Sequence, residues 1–451
     1  MMKTLVAAFL HTLSFHYCYK SYINPAFEYA GYTYFPPETW ALFSCYVLSV
    51  LPILAHRRSA APAHVGASII YTLCYVPAQV ILMCMWQRDL VELIQGQAAL
   101  SVSMLFIFRA ARAAFKPGPV PIYPDRISTL ALCMTVMAIA VALFIYRNHM
   151  QFVSFENVYD LRSETADLGL GAFSDYLLSW LAYALIPFHL ARALVQRKRT
   201  ELLASLAACI VIYTATGSKA VILMPMIMMG IRAALKRPED ILRTLLAYVG
   251  VTILLMVLLL PDEGLLFWIK SILLVRILGT SGWTVSVYYE FFSTHDFTYY
   301  THIGPVRAIF GGYPYGEMSL GQMIAIEYTG TDLANFNANF WASDAFAAMG
   351  VVGVPVVTAA VCFVFVLLNW AASKYDSRFV SLWLSGFWLA LLNLPLTTAL
   401  LSGGGLVAIG LLILDRRLLR AQERAGADVR RDLQSPGARG VMPDAIETPH
   451  P

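Results

Sequence analysis

The hydrophobic positions of this chain form long continuous blocks, separated by short polar connections that carry most of the charged residues. An α-helix needs about 20 apolar residues to cross the hydrocarbon core of a bilayer. Blocks of roughly that kind cover twelve segments: residues 4–19, 39–55, 66–86, 90–108, 127–146, 173–191, 201–216, 219–234, 244–260, 351–370, 379–398 and 402–415. The first, seventh, eighth and last are short, as tilted or broken helices are. The pattern predicts an all-α polytopic membrane protein with about twelve transmembrane helices.

The composition supports the same class of protein. Hydrophobic residues make up 59% of the chain and charged residues 13%, whereas a soluble domain is about half apolar and about a quarter charged. The seven cysteines all fall in apolar blocks without metal-ligand spacing, and neither HxxxH nor HExxH occurs. The sequence also has no nucleotide-binding signature in a suitable context. We therefore expect no metal and no cofactor, and a substrate that is held in or at the bilayer.

Lysine and arginine are distributed unevenly between alternate connections. With a cytoplasmic N-terminus, 24 of the 32 basic residues lie on the cytoplasmic side, which is the excess that the positive-inside rule expects. The eight on the outer side are Lys20, Arg88, Arg147, Arg162, Lys219, Lys270, Arg276 and Arg307. The sequence thus predicts a multi-pass protein with both termini in the cytoplasm. Its net charge of +4 follows from this topology and gives no reason to expect nucleic acid as a partner.

One connection differs from the others in size and composition. Residues 261–350 form a large external loop between spans nine and ten, rich in aromatic residues, Gly, Asn and carboxylates. Its first part, residues 264–277, is apolar enough for a re-entrant or interfacial helix yet holds two basic residues, so it is a candidate wall for a lipid-accessible cavity. We expect residues 1–415 to form one membrane domain and residues 416–451 to form a disordered cytoplasmic tail, because the latter have too little apolar surface to pack.

Two outer-side cations stand in apolar surroundings. Lys219 follows Gly217 and Ser218 at the turn between spans seven and eight, where it is either a lysine that extends to the interface or a phosphate ligand near the start of a helix. Arg276 lies in the apolar sequence LLVRILG, where a charge must be paired or hydrated. It is therefore either paired within the protein or part of a binding site. Arg162 and Arg307 lie on polar loops, where solvated surface roles are the default.

A third cluster precedes the tenth span. Asn335 or Asn337 can cap the helix that begins there. Asn337, Trp341 and Asp344 then share one helix face. Asp344 has no neighbouring Lys or Arg, so it is either a buried hydrogen-bonded carboxylate or a catalytic base. Spacing alone does not rank the other acid–base candidates in the loop, which are Glu290, His295, His302, Glu327 and Asp332.

These features resemble the O-antigen and oligosaccharide-repeat-unit polymerases of the Wzy type, which are related to the O-antigen ligases. That family has a Gly-Ser/Thr-Arg step at an outer helix turn, and TGSKAVIL has this form with Lys219 in place of the usual Arg. A large external loop follows, opening with an arginine in an apolar setting, as LLVRILG does. The loop closes with an asparagine-rich approach to a helix start, here NFNANFWASDAFAAMGVVG. The resemblance covers about 140 residues, from Lys219 to Gly353, together with the overall topology.

The resemblance implies a GT-C-like membrane glycosyltransferase in a bacterial inner membrane, with the large loop in the periplasm. It would pass a growing glycan from polyprenyl pyrophosphate to a lipid-linked repeat unit without a metal. Its partners would be this lipid-linked oligosaccharide and the bilayer, with a chain-length regulator and a flippase. The residues that would bind pyrophosphate and glycan are Lys219, Arg276, Arg307, Arg162, Asn337, Asn339 and Trp341. The catalytic base would be Asp344, with His302 as the second candidate.

Two other functions stay open at this stage. A ligase-like glycosyltransferase would differ from a polymerase only in its acceptor. A polysaccharide flippase or secondary transporter would also suit twelve spans, although such proteins commonly show two similar halves and broken helices at the midplane. We find no such symmetry in this sequence and few ionisable groups in the middle of the predicted spans.

Overall fold

A computed structural model describes residues 1–116, 122–151, 171–330 and 336–434. The structure is 79% helical, and the described ranges contain no strand. The bounds of the helices of six or more residues include continuous π and 3-10 turns, except that α1 is given without the π, α and 3-10 turns that continue it to Ala30. The helices are α1 (Met2–Cys18), α2 (Thr39–Leu54), α3 (Pro62–Met85), α4 (Leu90–Ala110), α5 (Asp125–Tyr146), α6 (Ser174–Gln196), α7 (Arg199–Thr216), α8 (Lys219–Ala234), α9 (Pro238–Leu259), α10 (Gly264–Phe291), α11 (Gly304–Phe310), α12 (Leu320–Thr329), α13 (Trp341–Ala372), α14 (Ser377–Trp383), α15 (Ser385–Asn393), α16 (Leu396–Leu401) and α17 (Gly405–Gln434).

Among the described residues, eight helices are long and apolar enough to cross a membrane: α3, α4, α5, α6, α7, α9, α10 and α13. This confirms the all-α polytopic class. Several predicted spans correspond to helices of fewer than 18 residues; for example, α1 has 17 residues and α8 has 16. The predicted span 379–398 is divided among α14, α15 and α16. The total of twelve spans and the GT-C type therefore stay predictions.

The basic residues predicted to lie in the cytoplasm gather at one end of the bundle, which we call the basic end. Ion pairs join the connections there: Arg58 with Asp240 at 2.9 Å, Lys374 with Glu423 at 2.9 Å, Arg192 with Glu201 at 3.7 Å and Arg126 with Asp415 at 3.5 Å. We call the opposite end, where α3 ends and α4 begins, the loop end. The side of the membrane that each end faces stays a prediction.

Helix α10 has the length of a span, but both of its ends lie at the loop end. Near its start, the buried Lys270 pairs with Asp262 and lies 4.2 Å from the ring of Tyr22, just beyond α1. Near its end, the Tyr289 hydroxyl donates to the carbonyl of Glu92 in the first turn of α4 at 2.7 Å. Nine residues of π-helix, Ser271–Gly279, separate the two parts, and such π segments are a common cause of helix bends. This geometry suits the re-entrant helix that the sequence predicts for residues 264–277.

Helix α13 is interrupted after its second turn. Met349 and Gly350 leave the helical conformation, and Gly350 has a left-handed φ of 65°. The interruption frees the carbonyls of Ala347 and Ala348, which accept hydrogen bonds from the backbone N–H groups of Thr298 at 2.8 Å and Tyr299 at 3.0 Å. The chain after α10 is thereby fixed against the first two turns of α13. This contact positions the candidate site.

Helix α17 continues past residue 415, where the sequence predicts the start of a disordered tail. Asp415 is buried and accepts hydrogen bonds from the Tyr375 hydroxyl at 2.7 Å and the backbone N–H of Ile127 at 3.2 Å. One turn later Leu419 is also buried, and Glu423 pairs with Lys374. These contacts join the residues just after 415 to the bundle, because a stripe of α17 faces it, and the domain boundary at 415 stays a prediction. Residues 435–451 lie outside the described ranges.

Candidate functional site

The candidate site is a buried histidine–carboxylate pair at the loop end. Nε2 of His302 lies 2.9 Å from Oδ1 of Asp344, and the two side chains are 10% and 5% exposed. Nδ1 of His302 lies 2.7 Å from Oγ1 of Thr298. Asp344 stands in the first turn of α13, and His302 belongs to the segment that is held against the interruption of that helix. The pair therefore depends on this contact between loop and helix.

The turn that carries His302 contains two consecutive residues in the left-handed region. The φ angles are 45° at Tyr299 and 65° at Tyr300. This conformation costs a residue with a Cβ about 1–2 kcal/mol. The surrounding contacts stabilise it, including the hydrogen bond from the Thr301 N–H to the Thr298 carbonyl at 2.8 Å. Backbone strain of this kind is concentrated at functional sites.

The hydrogen bonds around His302 define where a proton can move. The Thr298 hydroxyl donates to the carbonyl of Ala347 at 3.1 Å, so it can accept the Nδ1–H of His302. In this arrangement Nδ1 carries one proton, and a second proton lies between Nε2 of His302 and Oδ1 of Asp344. If the hydroxyl rotates toward Nδ1 instead, a neutral imidazole donates Nε2–H to an ionised Asp344. In either arrangement both ring nitrogens are engaged, which leaves Oδ2 of Asp344 as the atom of the pair that can accept a proton from a ligand.

Two tyrosine hydroxyls beside this pair are buried and find no hydrogen-bond partner among the described residues. They belong to Tyr300 and Tyr313. Burial raises the pKa of Tyr300, and the charge of Asp344 raises it further, so this hydroxyl remains a donor at neutral pH. The ring of Tyr300 lies 5.6 Å from that of His302. Buried polar groups are normally satisfied, so each of these two hydroxyls has an unused donor for a ligand group that enters the cluster.

Arg307 connects this polar cluster to solvent. Its guanidinium lies 5.3 Å from the centre of the Tyr313 ring and donates to Glu317 at 2.8 Å. The Glu317 side chain is 94% exposed, and an ion pair in such a position contributes little to stability. An anionic ligand can therefore replace Glu317 as the partner of Arg307 at small cost.

Two of the other predicted cations, Lys219 and Arg276, lie on different helices. Lys219 is the first residue of α8, which packs against α7 and α15, and its side chain is half-buried. Arg276 is exposed in the π-helical part of α10 and acts electrostatically on Tyr32. Arg162 falls in residues 152–170, outside the described ranges. The structure thus associates Arg307 with the residues around His302 and Asp344, through its contact with Tyr313.

The three predicted glycan ligands also differ in their surroundings. Asn339 is buried, and its amide donates to the hydroxyl of Tyr288 at 3.4 Å. Trp341 is buried, and its indole N–H donates to Thr358 at 3.1 Å, which is a contact within α13. Asn337 is exposed. Asn339 therefore adjoins the polar cluster, Asn337 is accessible at its edge, and the polar atom of Trp341 is already used.

Sequence reasoning named His302 and Asp344 but missed the residues that complete the site, which are Thr298, Tyr300, Tyr313 and Tyr288. The sequence feature that could have indicated some of them is the run of polar and aromatic residues FTYYTH, residues 297–302. Of the remaining acid–base candidates, His295 stacks on Phe291, and Glu290 accepts from Tyr328 at 2.8 Å. Within the described residues, no three His, Cys, Asp or Glu side chains form a group suited to a metal ion.

Comparisons of the chain with protein-family models, with curated proteins and with solved structures found no match. The resemblance to the repeat-unit polymerases therefore stands on the sequence motifs alone. The geometry of the site has to carry the functional argument.

Proposed function

We propose that this chain is a membrane glycosyltransferase that polymerises a surface polysaccharide at the loop end. It would transfer a growing glycan from polyprenyl pyrophosphate to a sugar hydroxyl of a lipid-linked repeat unit. One observation carries this proposal: a buried His302–Asp344 pair lies beside unpartnered tyrosine hydroxyls, with Arg307 at the edge of the same cluster. A base and a cation are the two groups that this reaction needs from a protein when no metal takes part.

In the proposed reaction, Asp344 accepts the proton of the acceptor hydroxyl at Oδ2. The acceptor oxygen forms a bond to the anomeric carbon of the donor glycan, and the bond from that carbon to the diphosphate oxygen breaks. His302 is held by Thr298 and hydrogen-bonded to Oδ1, so it orients the carboxylate. Proton transfer by a positioned side chain typically contributes a rate factor of about 10²–10⁴.

The leaving diphosphate gains negative charge as the glycosidic bond breaks. Arg307 would exchange its exposed partner Glu317 for a diphosphate oxygen, because an arginine can donate two parallel hydrogen bonds to a phosphate. The Tyr300 and Tyr313 hydroxyls would supply neutral donors nearby. Lys219 and Arg276 lie on other helices, and their proposed phosphate roles are supported by the sequence motifs alone.

The lipid part of the substrate needs an apolar surface next to the site. The first turns of α10 present exposed Leu265, Trp268 and Ile269, and α10 begins and ends at the loop end. We assign this face to the polyprenyl chain, which could enter sideways from the bilayer. The loop end would face the periplasm of a bacterial inner membrane, where a flippase would deliver the repeat units and a chain-length regulator would act.

The proposal is tested by the lengths of surface glycan in cells that carry single variants. We expect Asp344→Asn, Lys219→Ala, Arg276→Ala and Arg307→Gln to remove long glycan while single repeat units still reach the surface. The matched control is Asp89→Asn, because Asp89 is an exposed N-cap of α4 at the same end and asparagine also caps well. Normal glycan lengths with Asp344→Asn would overturn the assigned base. Loss of surface single units in the variants would indicate a transporter.

A further inference from the structure

A cavity of about 670 Å³ opens at the basic end, far from the His302–Asp344 pair. It lies between the ends of α6 and α8 and the start of α14, and its volume is typical of small-molecule sites. Its polar and charged lining consists of Tyr123, Arg197, Arg232, Lys236, Asp376 and Arg378. The rest of the lining is apolar, from Leu194, Val195, Met229, Ala233, Leu235 and Leu382.

The charge of this cavity is strongly positive. Four cations line it, and Asp376 is the one carboxylate in the lining. Asp376 already accepts the backbone N–H of Phe379 at 2.7 Å as the N-cap of α14. The guanidinium of Arg378 donates to the carbonyl of Lys236 at 3.2 Å, which connects two sides of the cavity.

Five basic residues at this end that lie outside the cavity are ion-paired. Arg58, Arg126, Arg192, Arg243 and Lys374 all form ion pairs with carboxylates. Within the described part of the chain, none of the four cations of the cavity does so. Four cations that line one concave surface repel each other, and an anion between them would relieve that repulsion. This arrangement indicates an anionic ligand.

The backbone conformation of Arg197 also favours an anionic ligand in this cavity. Arg197 ends α6 in the left-handed conformation, with a φ of 57°. Glycine is the usual residue at such a helix end because it has no Cβ. The chain instead places an arginine there, at the mouth of the cavity, where its long side chain can reach a ligand.

We propose that this cavity binds the phosphate head group of an anionic lipid from the leaflet at the basic end. The four cations hold the phosphate, and the apolar lining from α6 and α8 contacts the glycerol and the first acyl carbons. Met229 is exposed beside the cavity, so the apolar lining continues onto the lipid-facing surface of α8. A soluble phosphate would use only the cations, whereas a lipid uses both parts of the lining. Basic pockets between membrane helices bind anionic head groups in this way.

The test uses the full-length protein in detergent, with bound lipid counted by native mass spectrometry. Phosphatidylglycerol and phosphatidylcholine are offered in equal amounts, and we expect the wild type to retain phosphatidylglycerol at least about tenfold better. The triple variant Arg197→Gln, Arg232→Gln and Arg378→Gln should lose this preference. Replacement of the same three arginines by lysine should retain most of it, because the charge remains and a folding defect would not be rescued.

The control is a second triple variant, Arg57→Gln, Arg109→Gln and Arg420→Gln. These arginines are exposed near the same end and do not line the cavity. We expect this variant to bind phosphatidylglycerol like the wild type. Equal losses in the two glutamine variants would show a diffuse charge effect and overturn the site. If inorganic phosphate displaces the bound lipid at equal concentration, the ligand is a soluble phosphate and the lipid assignment is wrong.

Discussion

At the scale of single residues, the account depends on how the proton-transfer atoms are held. Thr298 fixes one nitrogen of His302 and Asp344 fixes the other, so neither nitrogen is free for a substrate. The sequence offered Asp344 and His302 as alternative bases. The geometry joins them in one hydrogen-bonded unit, in which we propose that Asp344 takes the proton and His302 positions the carboxylate.

Tyr300 gives the first prediction at this scale. Its hydroxyl is buried without a partner, and its pKa is raised by burial and by Asp344. We expect Tyr300→Phe to lower kcat/KM for elongation by about 10- to 100-fold, the usual effect of losing a hydrogen bond to a charged group. A raised pKa keeps the hydroxyl protonated through the ordinary tyrosine range, so the defect should be constant between pH 6 and 9.

The measurement is the elongation rate of purified protein across that pH range. Tyr299→Phe is the matched control, because Tyr299 is the neighbouring residue and its side chain is 69% exposed. A Tyr300→Phe variant as active as Tyr299→Phe would contradict the role of the hydroxyl. So would a defect that disappears as the pH rises toward 9.

At the scale of helices, the interruption of α13 is the feature that assembles the site. Gly350 has a φ of 65°, and a Cβ at this position would lie 2.7 Å from the ring of Phe297. We expect Gly350→Ala to displace residues 297–302 from α13 and to lower activity more than about tenfold, because both the backbone strain and the ring contact oppose it. Hydrogen exchange at Thr298 and Tyr299 should increase.

Gly230→Ala is the control for that substitution. Gly230 lies within α8, and no atom lies within 4 Å of a Cβ built there. Alanine should therefore leave activity and hydrogen exchange unchanged, or stabilise the helix slightly. Unchanged protection of Thr298 in Gly350→Ala would show that the interruption does not hold the segment.

Helix α17 gives a prediction about the extent of the membrane domain. Leu419 is 6% exposed and its neighbour Leu418 is 41% exposed. We expect Leu419→Asp to lower the melting temperature by several degrees, because it buries an unpaired carboxylate. Leu418→Asp should have little effect. Equal, small effects of the two substitutions in a thermal unfolding assay would support the boundary that the sequence predicts at residue 415.

Much of the fold could be predicted from the sequence, because the length of an apolar block and the number of basic residues in each connection can be read from short segments of the chain. The apolar blocks that become α3, α4, α5 and α13 are examples. The pairing of His302 with Asp344 could not be predicted, since it needs a helix interruption at Gly350 and a left-handed turn at Tyr299 and Tyr300. No hydrophobic period marks either feature. The surroundings of Lys270 could not be predicted either. The sequence places it beside a lipid-accessible cavity, whereas in the structure it is buried and paired with Asp262.

At the scale of the whole molecule, the two ends of the bundle have different chemistry. The basic end is held by ion pairs, and the loop end holds the His302–Asp344 pair. The orientation predicted from charge can be tested with single cysteines and a membrane-impermeant thiol reagent, in a background where the exposed Cys133 is replaced by alanine. We expect Thr294→Cys to react in cells with a permeabilised outer membrane and Arg57→Cys to react only after lysis. The reverse pattern would place the site on the cytoplasmic side.

The central claim is that the loop end transfers glycan between two lipid carriers. The most direct measurement follows purified protein with a lipid-linked repeat unit and counts two products, elongated glycan and free polyprenyl diphosphate. We expect the wild type to release one diphosphate carrier for each unit added and Asp344→Asn to stop both. Elongation that persists in Asp344→Asn, or a wild type that forms neither product, would contradict the account.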